Sequence, residues 1–143
     1  MDSDEPLQLV EFQGPFFKLK FPSHWEMEII EDIPAFFDPM GGGALQVVSA
    51  QKNDEPVNLE DEMTQYLSQM GISFDPEKIA SFKIQAGPCL ACEFIKEDRF
   101  WLLNMIGQEG KLLIVMYNSD EVPDPDTVSI LMNIIQSIRL EGS

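Results

Sequence analysis

Histidine and cysteine are scarce in this chain. His24 is its one histidine, and Cys89 and Cys92 are its two cysteines among 143 residues. That leaves too few ligands for a structural zinc site built from Cys and His, which needs four. Base is scarce too. Nine Lys and Arg stand against 25 Asp and Glu, a net charge of −16, with a pI near 4.1. Such a surface repels nucleic-acid phosphates and anionic lipid, so neither nucleic acid nor membrane is expected as a partner. No apolar run approaches the ~18 residues that cross a bilayer. The N-terminal Met1-Asp-Ser-Asp-Glu-Pro6 lacks the basic start and apolar core of a signal peptide and has no lipoprotein-type cysteine. A cytoplasmic location, with both thiols reduced, is the expectation.

What is present suits one domain spanning 1–143. Apolar residues make up 44% and charged residues 24%, the balance of an ordinary globular chain. The acids are uneven: residues 1–62 hold 14 acids and 3 bases, residues 63–143 hold 11 and 6. The excess falls in the acidic tail 1–6, expected to be loose, in Glu26 to Asp32, and in Asp54 to Glu62. Solubility alone accounts for the total, and a basic protein partner is compatible with it.

The most apolar stretch is Arg99 to Tyr117. It reads as two strands, Phe100–Ile106 and Leu112–Tyr117, folded back through the turn Gly107-Gln-Glu-Gly110. Apolar residues fall on both faces, which demands cover on both sides. Upstream, alternation predicts strands at Leu7–Phe12, Phe16–Phe21, Trp25–Ile30, Ala35–Asp38 and Ala44–Gln51, punctuated by Pro and Gly and forming a meander. Lys52–Pro56 reads as a loop. Leu59, Met63, Tyr66, Leu67 and Met70 make one face of a helix over 58–70, capped by Asn58 and closed by Gly71. Asp75-Pro76-Glu77 is a loop or brief helical turn. Ile79–Gln85 and Cys89–Glu97 are further strands. Asp124 and Pro125 open a second helix with Val128, Leu131, Ile134, Ile135 and Ile138 as its stripe and Ile130 widening it; Arg139 lies at the end that favours a cation. The fold class is α+β: an antiparallel sheet of about seven strands in a meander, flanked by two amphipathic helices, with one helix expected on each face.

Three segments resemble the PsbP-like family. They are Phe21-Pro-Ser-His-Trp25, then Phe36-Phe-Asp-Pro39 with its glycine turn and the strand Leu45-Gln-Val-Val-Ser49, and Ile134-Ile-Gln-Ser-Ile-Arg139 at the end of the last helix. The family is an α/β/α sandwich that includes the photosystem extrinsic protein PsbP, a Ran-GTPase-binding protein and many small bacterial proteins. The resemblance implies an accessory or binding role without a shared catalytic residue. Some bacterial relatives are envelope lipoproteins, from which this chain departs in showing no export signal.

Several constellations invite chemistry. Cys89-Leu-Ala-Cys92 has the spacing of a redox pair or half a zinc site, but residues three apart on a strand point to opposite faces, which favours two buried structural thiols. His24 would need a carboxylate such as Glu26 or Asp38 to work as an acid–base group; Ser23 is adjacent in sequence only, and a turn histidine beside a core Trp is the simpler reading. Gly41-Gly-Gly43 is followed by a strand, not the helix of a phosphate loop, and reads as a turn. The acids Glu26, Glu28, Glu31 and Asp32 alternate with apolar residues, as a wet strand face does. If they act, a basic protein surface is the fitting partner, with Phe37 and Met40 as apolar anchors; Trp25 and Phe36 are expected in the core. The expectation is a non-enzymatic protein-binding or accessory domain with no cofactor and no metal. The alternative is a small-molecule binder or enzyme with a pocket between sheet and helix, using His24 or Cys92.

Overall fold

The computed structural model describes residues 8–51, 57–108 and 110–141. The acidic tail 1–6, the loop Lys52–Pro56 and Glu109 of the expected turn lie outside the described residues. The strands are β1 (Leu9–Gln13), β2 (Phe17–Pro22), β3 (Glu26–Ile30), β4 (Ile33–Phe37), β5 (Ala44–Gln51), β6 (Ala80–Ile84), β7 (Gly87–Lys96), β8 (Arg99–Gln108), β9 (Lys111–Ser119) and β10 (Arg139–Leu140). Helix α1 is Leu59–Gln69, helix α2 is Pro125–Gln136, and a single 3₁₀ turn covers Pro76–Lys78.

Seven strands form one antiparallel sheet in the order β3-β4-β5-β9-β8-β7-β6. It is two meanders joined edge to edge, β3–β5 and β6–β9, with eight consecutive residue pairs from Ala44↔Asn118 to Gln51↔Lys111 at the joint. The first two strands leave this sheet. They form a separate three-stranded sheet in the order β1-β2-β10, closed by the pairs Arg139↔Lys18 and Leu140↔Phe17. A two-residue strand after a helix has too little periodicity to stand out in sequence, so β10 was not anticipated.

Each face of the large sheet buries its own cluster, and the helices lie on opposite faces, as the double-sided apolarity of β8 and β9 requires. On one face Leu131, Ile134, Ile135 and Ile138 pack with Leu45, Val47, Val115, Tyr117 and the small-sheet residues Phe17 and Leu19. Phe12 and Phe21 of the small sheet lie against the Phe36 ring of β4 at 5.4 and 4.9 Å between centroids. The small sheet and α2 therefore share one layer. Ser137 joins them, its Oγ accepting from the Lys20 N–H at 2.8 Å. On the other face Met63 and Leu67 of α1 pack with Leu90, Cys92, Leu103, Met105, Leu112 and Met116. Helix α1 rests on β7 and β8.

The helix ends follow their sequence signals. Asn58 Oδ1 accepts from the Asp61 N–H at 3.1 Å. Gly71 has φ +79° and, with Ile72, donates to the Ser68 and Leu67 carbonyls, a Schellman closure. Asp124 Oδ1 accepts from Thr127 N–H at 2.8 Å, with Pro125 in the first turn. Val128 is a correction: it is 43% exposed, because it lies in the first turns of α2, away from the residues that meet the sheet. Gly107 is another, paired with Leu112 inside β8 instead of starting the turn. A Cβ there would approach Val57 and Leu59 to 2.8 and 2.9 Å, so the missing side chain admits the entry to α1.

The glycine triplet divides its work. Gly41 and Gly42 take φ of 133° and 104°, which L side chains resist. Gly43 lies against β9, where an added Cβ would sit 2.0 Å from the Asn118 carbonyl oxygen. Its N–H donates to Tyr117 Oη at 3.1 Å. Gly43→Ala must push β5 away from β9 and is expected to cost roughly 1–3 kcal/mol, the usual range for overpacking. Urea unfolding checks this; an unchanged midpoint would show that the two strands separate there freely.

Candidate functional site

Strand β3 is an edge of the large sheet, and all five of its residues are exposed. It is paired to β4 through a two-residue turn in which Glu31 and Asp32 both adopt left-handed φ, 51° and 68°. Such a turn matches the twist of a tight hairpin. Ladder pairing from β4 to β5 covers only Ala35–Phe37. It stops at Pro34, which has no N–H to give. The hairpin tip therefore runs on beyond the β5 ladder.

Register assigns the side chains. Glu26 faces Phe37, Glu28 faces Ala35 and Ile30 faces Ile33. This is the face that α1 covers over β7 and β8. At the β3–β5 end no described helix lies on it, and Phe37, Ala44, Gln46 and Val48 stay partly exposed. Met27 and Ile29 point to the opposite face, beside Phe36 and Pro34. The expected group is thus strung along one hairpin. Glu26, Glu28 and Phe37 share the open half of the face. Glu31 and Asp32 form its tip. Met40 lies in the turn at the other end, about 17 Å away for a five-residue strand, and is 91% exposed. Trp25 and Phe36 are buried, as expected.

Sequence reading gave no prominence to the apolar members of this edge. Met27, Ile29 and Ile30 are 38, 54 and 48% exposed. Alternation marks Met27 and Ile29 as one face of a strand and cannot say whether that strand is an edge. Among the described residues none of the four acids forms a salt bridge with a basic side chain.

The remaining candidates separate. Cys89 belongs to the α2-side cluster and Cys92 to the α1-side cluster, so the two thiols face opposite ways. Burial pushes the Cys89 thiol up to about 12. Burial, with the neighbouring Glu93 charge, pushes Cys92 up to about 11. Both stay protonated at neutral pH, the reverse of what a redox or metal-binding thiol needs. His24 Nε2 lies 4.0 Å from Asp38 Oδ2 on the surface, while Asp38 Oδ1 accepts from the Met40 N–H at 2.9 Å. This pair occupies the same turn region as Met40. The adjacent Trp25 is 5% exposed, and its indole N–H has no acceptor among the described residues.

Two described cavities lie elsewhere. One of about 490 Å³ sits beside the start of α1 between Val57, Leu59, Pro88, Leu90 and Gly107. The other, about 230 Å³, is lined by Lys18, Lys20, Arg139, Glu11 and Ser137. Arg139 there also donates to the Gln136, Ser137 and Ile138 carbonyls at the end of α2. Neither cavity is bordered by His24 or Cys92. Among the described residues no group of three His, Cys, Asp or Glu converges as a metal site, and no helix is long and apolar enough to cross a membrane.

This architecture is shared with solved structures. A cyanobacterial PsbP, CyanoP, from Synechocystis sp. PCC 6803 superposes with a TM-score of 0.68 at 11% identity, covering 98% of this chain and 96% of that one. The fold is PsbP-like. A protein from Bacteroides thetaiotaomicron VPI-5482 superposes with a TM-score of 0.70 at 16% identity over 93% of this chain. This chain covers 48% of that longer protein. No family model and no curated protein sequence matches the chain. At these identities the PsbP-like likeness speaks for the fold.

Neither thiol is expected to react with a disulfide reagent at neutral pH in the native chain, and both are expected to react in denaturant. Thiol titration checks this; rapid native labelling of Cys92 would restore it as a functional candidate.

Proposed function

We propose that this protein is a non-enzymatic accessory domain that binds another protein through the acidic edge and open half-face of its large sheet. One observation carries the reading. Strand β3 exposes Met27, Ile29 and Ile30 between the acids Glu26, Glu28, Glu31 and Asp32. An apolar strip set among charges of one sign suits a partner of opposite charge: apolar contact supplies the affinity, and the charges supply orientation and encounter rate. Phe37 lies on the open face at the end of β4 and Met40 in the turn beyond it, where each can act as an anchor. A basic protein is the partner of matching chemistry. The PsbP-like fold fits a non-catalytic role. We place the activity in the cytoplasm, where two unlinked thiols are ordinary.

Replacing Glu26, Glu28 and Glu31 with Gln and Asp32 with Asn is expected to abolish capture of the partner while leaving thermal unfolding unchanged or slightly raised, since repulsion among the acids is relieved. Binding by the parent protein is expected to weaken as salt is raised, because exposed charges are screened. Retention of binding by the neutralised variant at every salt concentration would refute the acidic surface as the site.

A further inference from the structure

We infer that β3 is a strand-addition site, receiving an extended segment of a different protein with basic side chains at every second position. The inference rests on the protein-binding reading above and specifies its geometry.

In the β3–β4 hairpin the closing pair is Ile30↔Ile33 across a two-residue turn. Closing pairs of such turns exchange backbone hydrogen bonds, and antiparallel pairs then alternate. Ile30, Glu28 and Glu26 therefore direct N–H and C=O to β4. Met27 and Ile29 direct theirs outward, where no described strand pairs with them. Natural edges are guarded by Pro, Lys, bulges or brevity. The β3 ladder is unbulged over five pairs, and β3 itself carries no Pro and no Lys, its guards being the acids Glu26 and Glu28. The opposite edge strand, β6, carries Lys83.

The acids decide the occupant. Two copies of this chain can pair through β3 only in symmetric antiparallel registers that set outward-facing residues against one another. A register centred on Glu28 puts Glu28 opposite itself. Centred on Met27, it puts Glu26 opposite Glu28 twice. Centred on Ile29, it runs Glu26 of each copy against the other's acidic Glu31-Asp32 turn. The first two set like charges directly across and the third brings them together at the turn, which is destabilising. A foreign strand with Lys or Arg opposite Glu26 and Glu28 reverses that sign. Its alternate residues fall on the other face beside Met27 and Ile29, where apolar side chains fit. The preferred segment thus alternates basic and apolar residues, and it needs to span only the five residues of β3.

The test uses the full chain and a labelled peptide alternating Lys and Val, followed by fluorescence anisotropy. A second peptide of the same sequence carries N-methyl groups on the backbone nitrogens that face the strand. It keeps every charge and loses the ladder bonds. The plain peptide is expected to bind, and the methylated one to bind weaker by about tenfold or more. Ile29→Pro removes one outward N–H and leaves the β4 ladder intact; with an unchanged melting profile, it is expected to weaken the plain peptide similarly. Amide exchange at Met27 and Ile29 is expected to slow when the peptide binds. Equal binding of both peptides would overturn strand addition while leaving acid-mediated binding standing. Equal binding by wild type and a Glu26→Gln, Glu28→Gln double variant would remove the acidic-surface reading as well. Failure of the plain peptide to bind, or a wild-type dimer that Ile29→Pro dissociates, would also overturn the inference.

Discussion

The pairing of β5 with β9 is the contact on which the rest of the molecule depends. Its eight residue pairs join a hairpin-built edge to a hairpin-built body. They also bring Leu45 and Val47 alongside Leu113, Val115 and Tyr117, the floor on which α2 and the small sheet rest. Gly43 permits the close approach at one end, and Tyr117 Oη fixes it by accepting the Gly43 N–H. Without that joint the floor beneath α2 and the small sheet loses its Leu45 and Val47 half.

The same joint sets where the sheet is left bare. After β5, at the middle of the sheet, the chain must reach β6 at the far edge, and α1 is the crossing. A helix on that route lies over β8 and β7. At the β3–β5 end only Ala50 of β5 reaches the cluster beneath it, among the described residues. On the other face the small sheet spreads over that end, with Phe12 and Phe21 against Phe36 of β4. The half-bare face is thus a product of connectivity, and Glu26 and Glu28 on it belong to one of the chain's acid-rich stretches.

Much of this was legible in the sequence because local signals agreed with one another. Asn58, Gly71, Asp124 and Pro125 bounded the helices, and alternation located the strands. The apolar run at β8 and β9 required two covered faces. The likeness of Phe21–Trp25, Phe36–Ser49 and Ile134–Arg139 to PsbP-like segments pointed to the fold that superposition shows. Partnering was the part that stayed hidden. A strand's sequence records which faces are apolar and says little about which neighbour it pairs with. Hence β1 and β2 looked like the start of the main meander, β10 escaped notice, and nothing marked Met27 and Ile29 as exposed until β3 proved to be an edge. The opposite facings of Cys89 and Cys92 needed no partner information, only the two-residue period of a strand, and were foreseen.

The joint between β5 and β9 has one further consequence, for the order in which the chain organises. Within each meander, successive strands are tied by short turns, so their contacts close small loops. Ala44–Gln51 and Lys111–Ser119 are separated by helix α1 and three whole strands. Closing a loop of that size carries the larger entropy cost, although each doubling in length adds only about 0.6 kcal/mol. The middle of the finished sheet is therefore its least local contact, and the two meanders on either side are its natural units of cooperative opening.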